Sequence, residues 1–189
     1  SLVMGRNIFD FYKGDMSQVM ITLFLLTIYG IMVGGISQMR EIVKEQDIYR
    51  RERLVNLKIL PYVLSKIWVA ALLALYQAVA YTVVHYLAFK MPGGALEFFQ
   101  IYITMTLATF AGMMLGLFAS ALAPNSSSAP LIVIILMLPQ IVLAGALIPV
   151  PSFVSAPFST RWAFESLIAI SGSGSDVAKD VCWMLPPDV

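Results

Sequence analysis

The chain has 189 residues, of which 59% are hydrophobic and only 12% charged, and its mean hydropathy is +0.83. A soluble domain carries about 25% charged residues, so the composition excludes an ordinary soluble protein and predicts an all-α, multi-pass bundle of transmembrane helices. The net charge of +1 says nothing about partners, and no nucleic-acid partner is expected. The single cysteine, Cys182, excludes an intrachain disulfide, and with one histidine it leaves too few ligands for a His/Cys metal centre.

Four apolar stretches are long enough to cross a membrane, which takes roughly 20 residues. They run from about 16–38, 67–89, 98–123 and 129–150. Pro61 precedes the second stretch, where the start of a helix tolerates proline. Pro139 removes one backbone hydrogen bond within the fourth stretch and predicts a kink there.

The stretch 151–170 is also apolar, but prolines, Arg161 and Glu165 interrupt it, so we expect short helices at the membrane edge. The polar tail 171–189 has no span of its own. We expect residues 1–189 to be one transmembrane domain taken from a longer protein, because residues 2–4 resemble the end of an earlier helix.

The basic residues predict the orientation of the bundle. Most of them lie in the connector 40–66, and connectors rich in Lys and Arg face the cytoplasm. The segment 151–189 is then extracellular, with a short re-entrant helical part. Seven of the twelve Lys and Arg residues lie in this connector: Arg40, Lys44, Arg50, Arg51, Arg53, Lys58 and Lys66.

Residues 40–57 contain good helix formers and neither glycine nor proline. Asp47 and Arg51 are four apart, a spacing at which an ion pair supports an exposed helix. Two interpretations stay open: a solvated connector that fixes the topology, or a helix on the membrane surface that docks a cytoplasmic partner. The length favours the second, because far fewer residues can join two helices.

Small residues mark helix faces that approach closely. Such residues let backbones meet in lipid, where no hydrophobic force draws helices together. We expect packing within the chain, and a seam between two protomers is the alternative. The small residues, spaced four apart, are Gly30 and Gly34 in the first span and Ala108, Gly112, Gly116 and Ser120 in the third.

Polar residues inside the spans are few. Gln77, Tyr81 and His85 follow one another at intervals of four on the second span, so they share a face. We expect them to form hydrogen bonds between packed helices. The single histidine and the absence of a mid-span carboxylate argue against an intramembrane enzyme, and no catalytic residue is predicted.

Two pairs of motifs carry a resemblance to a known family. The runs 45–53 (EQDIYRRER) and 61–66 (PYVLSK) resemble the first cytoplasmic loop of the G-subfamily, or White-type, ABC transporter permeases of the second ABC permease superfamily. The runs 144–149 (AGALIP) and 161–167 (RWAFESL) resemble the end of that family's fifth helix and its extracellular segment. The chain departs from the family at 55–56, where glycine is usual, and at 146–147, where two leucines are usual.

The resemblance implies helices two to five of a six-helix permease, with helix one before Ser1 and helix six after Val189. It implies ATP-driven export of a hydrophobic or amphipathic substrate, with a bacterial inner membrane as the expected location. The chain lacks a Gly-Lys-Ser/Thr phosphate-binding motif, so ATP and Mg²⁺ are expected on a fused or separate ATP-binding domain. A second protomer would complete a homo- or heterodimer. A channel or a structural membrane subunit is the alternative.

The resemblance also assigns two sets of site residues. Six loop residues are expected to couple the permease to the ATPase, and five small or apolar positions are expected to line a substrate cavity between two protomers. The coupling residues are Glu45, Tyr49, Arg50, Arg51, Glu52 and Arg53. The cavity residues are Gly30, Val33, Leu143, Ala146 and Leu147.

Overall fold

A computed structural model describes residues 16–53, 59–88, 94–144 and 152–171. These residues form helices, turns and short connections, and no strand occurs among them, which confirms the all-α class. The α-helices are α1 (Met16–Gln38), α2 (Gln46–Arg53), α3 (Ile59–Ala88), α4 (Ala95–Leu122), α5 (Ala129–Val142), α6 (Ser152–Ser155) and α7 (Ser159–Ile170), and a 3-10 turn at Val43–Glu45 leads into α2.

Within the described residues, α1, α3 and α4 are long and apolar enough to cross a membrane. Helix α5 has 14 residues and rises only roughly 21 Å, against a hydrocarbon core of about 30 Å. It ends at Val142 and a turn follows at 143–144; the rest of the predicted fourth span, 145–150, lies outside the described residues.

Helices α3 and α4 begin earlier than the sequence predicts, at Ile59 rather than 67 and at Ala95 rather than 98. Pro61 falls in the first turn of α3, where a backbone N–H has no acceptor within the helix, so proline costs no hydrogen bond there. At the start of α4, the Gly94 N–H donates to the Glu97 carboxylate at 2.6 Å.

Helices α1 and α4 pack closely through their small residues. A Cβ on Gly34 would collide with the carbonyl oxygen of Thr109, and one on Gly112 with the carbonyl oxygen of Ile31. Gly116 likewise lies against the carbonyl of Gly35. Because the two stripes face each other within one chain, they are not exposed for a seam between protomers.

At the end of the bundle opposite α2, which we call the outer end, α7 packs against α1 and α4. Leu167 is 1% exposed and Phe164 8% exposed, and both join a cluster with Leu23 of α1 and Met105 of α4. The rings of Phe24 and Phe164 meet edge to face, with centroids 5.5 Å apart.

Helix α3 lies at the side of the bundle. Most of its buried residues are small, and Ala70 and Ala74 pack against Met113 and Leu117 of α4. Its other faces carry exposed apolar side chains such as Tyr76. This composition suits a helix that touches lipid or another membrane subunit over most of its surface.

Candidate coupling segment and substrate cavity

The segment 39–53 crosses the ends of α3, α4 and α5, and we call it the cytoplasmic segment after its predicted side of the membrane. Val43 is 8% exposed and packs between Ala123, which follows α4, and Ala129 of α5. The Ser120 hydroxyl of α4 accepts hydrogen bonds from the backbone N–H groups of Ile42, at 2.9 Å, and Val43, at 3.0 Å. The start of the segment is therefore fixed to the end of α4 by two hydrogen bonds from its backbone to the Ser120 side chain and by the buried Val43 side chain.

Two residues later the segment is fixed to α3. The Lys66 ammonium donates to Glu45 at 2.7 Å, and the Tyr62 hydroxyl donates to the other Glu45 oxygen at 3.0 Å. Lys66 and Tyr62 are four apart on α3, so both reach the same carboxylate. The hydrogen bond from Lys66 lowers the pKa of Glu45 most, with that from Tyr62 adding to it, while burial opposes the shift.

Further charges surround this pair. Glu41 lies 3.6 Å from Lys66 and 2.7 Å from Lys44. The hydrogen bond to Glu41 raises the pKa of Lys44. Since the side chain of Lys66 is only 17% exposed, its contacts are less screened by water than an ordinary surface ion pair.

The predicted coupling residues whose side chains are described lie in two environments. Glu45 and Tyr49 face α3, where the rings of Tyr49 and Tyr62 lie 5.1 Å apart. Arg51 is exposed on α2, together with Asp47 and Ile48. The remaining predicted residues, Arg50, Glu52 and Arg53, belong to α2, but their side chains lie outside the described part of the structure.

Sequence reasoning did not include Tyr62, Lys66 and Ser120 among the coupling residues. Tyr62 and Lys66 lie in the PYVLSK run that carries the resemblance, and their spacing of four was the available signal. Ser120 was predicted to pack helices, and it is 1% exposed, but its hydroxyl also bonds the cytoplasmic segment.

The predicted cavity residues lie in different environments. Gly30 is buried in the α1–α4 contact, where an added Cβ would lie 2.9 Å from Met105 Cε. Val33 is half-buried on α1, near the exposed apolar residues Tyr29 and Ile36. Leu143 is half-buried directly after α5. Ala146 and Leu147 lie outside the described residues. The structure therefore describes only three of the five predicted cavity residues.

The end of α5 that leads to Leu143 is joined to α7 by one amide. The Gln140 side-chain oxygen, Oε1, accepts hydrogen bonds from the Thr160 hydroxyl at 2.9 Å, the Thr160 N–H at 3.3 Å and the Ser159 hydroxyl at 3.3 Å. Gln140 is 7% exposed, and it follows Pro139, which lies inside α5. The position of α7 is therefore tied to the helix that precedes the predicted cavity residue.

The polar row on α3 is only partly joined to its neighbours. Tyr81 packs against the cluster at the outer end that contains Phe164 and Leu167, and His85 is 8% exposed. The Gln77 side-chain oxygen is buried without a hydrogen-bond partner among the described residues. The hydrogen bond between helices that we expected for this row is therefore absent at the Gln77 side-chain oxygen among the described residues.

The protein-family comparison decides what kind of membrane protein this fold represents. The family model of the ABC-2 type transporter matches residues 2–168. The chain belongs to the ABC-2 type transporter family. As a member of that family it is an integral membrane protein and a permease domain of an ABC transporter, and the ABC permease expected from its motifs is confirmed.

A curated relative is similar over most of this permease. The chain is 28% identical, in an alignment of 175 positions that covers 87% of the chain, to an ABC transporter ATP-binding/permease protein of Mycobacterium tuberculosis. The match spans 20% of that protein, so the permease corresponds to about a fifth of its relative's length.

Proposed function

We propose that this permease moves a hydrophobic or amphipathic substrate out of the cell and is driven by an ATP-binding domain that contacts the cytoplasmic segment. The observation that carries the proposal is the double attachment of this segment, to α4 through Ser120 and to α3 through Glu45. A partner that displaces such a segment displaces two spanning helices together.

The relative supports an ATP-binding partner, because its name joins ATP-binding and permease functions in one protein. Whether that domain is fused or separate here, a second permease protomer would complete a homo- or heterodimer in a bacterial inner membrane. The exposed side chains of α2, among them Asp47, Ile48 and Arg51, offer both charge and apolar surface to the ATP-binding domain.

The test uses the complete transporter in proteoliposomes, with vanadate-sensitive ATP hydrolysis and ATP-dependent movement of a fluorescent phospholipid as readouts, followed by a panel of lipids and hydrophobic drugs. We expect both activities in the wild type. The Arg51→Glu variant should lose most of the ATP-dependent movement, because it reverses a charge on the docking surface. Ser126→Glu is the control, since it adds a charge to an exposed residue of the other predicted cytoplasmic connector.

A channel or structural subunit would behave differently. Flux that proceeds without ATP, or an Arg51→Glu variant whose ATP-dependent movement equals that of the wild type, would contradict the proposal.

We propose that the half-buried Val33 and Leu143 line the substrate cavity, together with Ala146 and Leu147. Val33→Gln should change the lipid- or drug-stimulated part of the ATPase activity and leave the basal part in place. Val79→Gln is the matched control, because Val79 is an exposed residue of α3. Equal stimulation in both variants would remove Val33 from the cavity.

A further inference from the structure

Ser120 occupies a place that packing alone does not explain. It is 1% exposed in the last turn of α4. Its hydroxyl oxygen accepts two hydrogen bonds from residues 77 and 78 positions away in the sequence. Alanine would fill the same stripe of small residues equally well, but it has no acceptor. The hydroxyl is therefore the feature of this residue that needs an explanation.

The two donors stand at the beginning of a helical stretch. Ile42 precedes the 3-10 turn Val43–Glu45, and its own side chain forms no capping hydrogen bond. The first N–H groups of a helix have no acceptor inside the helix and need one from elsewhere. Ser120 supplies that acceptor from another helix, so the helical stretch that continues into α2 begins on α4.

The attachment to α3 lies only two residues further along. Lys66 and Tyr62 bind Glu45 at the end of the same 3-10 turn. Helices α3 and α4 are themselves packed through Ala70, Ala74, Met113 and Leu117 near this end of the bundle. The first part of the cytoplasmic segment thus forms a short bridge between the ends of two spanning helices.

We propose that Ser120 is a positioning residue for energy coupling, whose hydroxyl transmits displacement of the cytoplasmic segment to α4. This inference rests on the proposed function, since it needs an ATP-binding domain that displaces the segment. Glu45 transmits the same displacement to α3. Without the Ser120 hydroxyl, the segment keeps its attachment to α3 but meets the end of α4 only through the Val43 side chain, and ATP hydrolysis continues with less movement of α4.

The test follows the outer end of α4 in the complete transporter. Leu96, at the start of α4, is 65% exposed and is replaced by cysteine in a background without other cysteines. Its rate of reaction with a membrane-impermeant maleimide is measured with and without ATP and vanadate. We expect the trapped and free wild type to differ at least threefold in rate. Unchanged reactivity in a wild type that hydrolyses ATP would contradict the proposed function itself.

The informative variant is Ser120→Ala, with Ser120→Thr as the conservative variant that keeps the hydroxyl. Ser120→Ala should lose most of the nucleotide-dependent change at position 96 and keep its ATP hydrolysis within twofold of the wild type. Ser120→Thr should restore the change. Thr109→Val is the matched control, because it removes a buried hydroxyl of α4 that bonds only within its own helix, to Met105.

Three outcomes would overturn the inference while leaving the proposed function standing. One is a full change of reactivity in Ser120→Ala. Another is a Ser120→Ala variant in which ATP hydrolysis and the nucleotide-dependent change at position 96 fall by the same factor, which is the result expected if Ser120 only supports the fold. The third comes from hydrogen exchange on the wild type, which needs no variant: the amides of Ile42 and Val43 must stay protected in the vanadate-trapped state, and loss of that protection would show that the joint opens.

Discussion

The cytoplasmic segment and α7 are both short elements at opposite ends of the same bundle, and they are held in different ways. The 3-10 turn and α2 are attached mainly by hydrogen bonds and ion pairs, and no side chain described in α2 is buried. Helix α7 instead inserts Thr160, Ala163, Phe164 and Leu167 between its neighbours. A packed interface resists deformation, so we expect α7 to move with the bundle, whereas the cytoplasmic segment is attached through a few identifiable contacts.

Both short elements are attached to α1 or α4, and the largest expected effect tests whether these two helices form a rigid frame. Gly112→Leu should prevent accumulation of folded protein, because even a Cβ at this position collides with the Ile31 backbone. The cost exceeds the about 1–3 kcal/mol of ordinary overpacking, since a backbone cannot turn away as a side chain does. The yield of monodisperse protein in detergent measures the effect.

Gly94→Ala is the control for this prediction. A Cβ on Gly94 would meet only a Glu97 oxygen, at 3.4 Å, so the variant should purify like the wild type. A stable Gly112→Leu protein would mean that α1 and α4 separate easily, and the contrast between a rigid bundle and a movable segment would fail.

The second prediction concerns the packing of α7. Leu167→Ala should lower the free energy of unfolding by about 2–5 kcal/mol, because Leu167 is 1% exposed and its removal leaves a cavity. Phe153→Ala should change it by less than about 0.5 kcal/mol, since Phe153 is 80% exposed. Thermal unfolding in detergent compares the two. Equal effects would show that α7 does not depend on its buried face.

The third prediction separates the polar tie of α7 from its apolar packing. Gln140→Leu should lower the free energy of unfolding by about 1–3 kcal/mol, because it leaves the buried Thr160 N–H without its acceptor. The control is Gln100→Leu, at an exposed position of α4. An effect seen only at Gln140 would show that hydrogen bonds to this residue, as well as apolar packing, hold α7 in place.

The smallest effect is expected at the cytoplasmic segment, from pH. The pKa of Glu45 in the folded protein lies below its ordinary value of 4.5. The attachment is therefore complete above pH 4.5 and weakens as the pH falls through the lower folded value. For a partly exposed pair the energy involved is about 1 kcal/mol or less.

A nitroxide label at position 48 measures this loosening. Its mobility should rise below pH 4.5 in the wild type, because protonated Glu45 no longer pairs with Lys66. Glu45→Gln should be more mobile at neutral pH and show little further change on acidification. If the mobility of the label in the wild type does not depend on pH, the Glu45–Lys66 contact does not hold the segment in place.

Local sequence patterns predicted the parts of this fold that depend on local spacing. The close-packing faces of α1 and α4 followed from small residues four apart, because the period of a helix places them on one face, but the sequence did not say that these two faces meet. The partner of the Ser120 hydroxyl was not predictable in this way, since it lies 78 residues away in the sequence. No periodicity within α4 distinguishes a serine that packs from one that bonds a distant loop.

Charge misled the prediction of where α3 begins, whereas the short helices expected around Arg161 and Glu165 are present. Lys66 was counted in the charged connector, although it lies in α3 and is satisfied there by Glu45. Arg161 and Glu165 interrupt an apolar stretch, yet they pair with each other at 2.7 Å. The other face of α7 remains apolar and is buried. The partner of Lys66 lies 21 residues away, so local spacing does not reveal it, whereas Arg161 and Glu165 are four apart on one helix.

The proposed function requires that an ATP-binding domain contacts the cytoplasmic segment. Its most direct test is the accessibility of a spin label at position 48, which is 57% exposed, to a water-soluble relaxation agent in the assembled transporter and after removal of the ATP-binding domain. A label at position 126 is the control. We expect the domain to shield position 48 severalfold more than position 126, and equal accessibility of position 48 in both preparations would contradict the proposed contact.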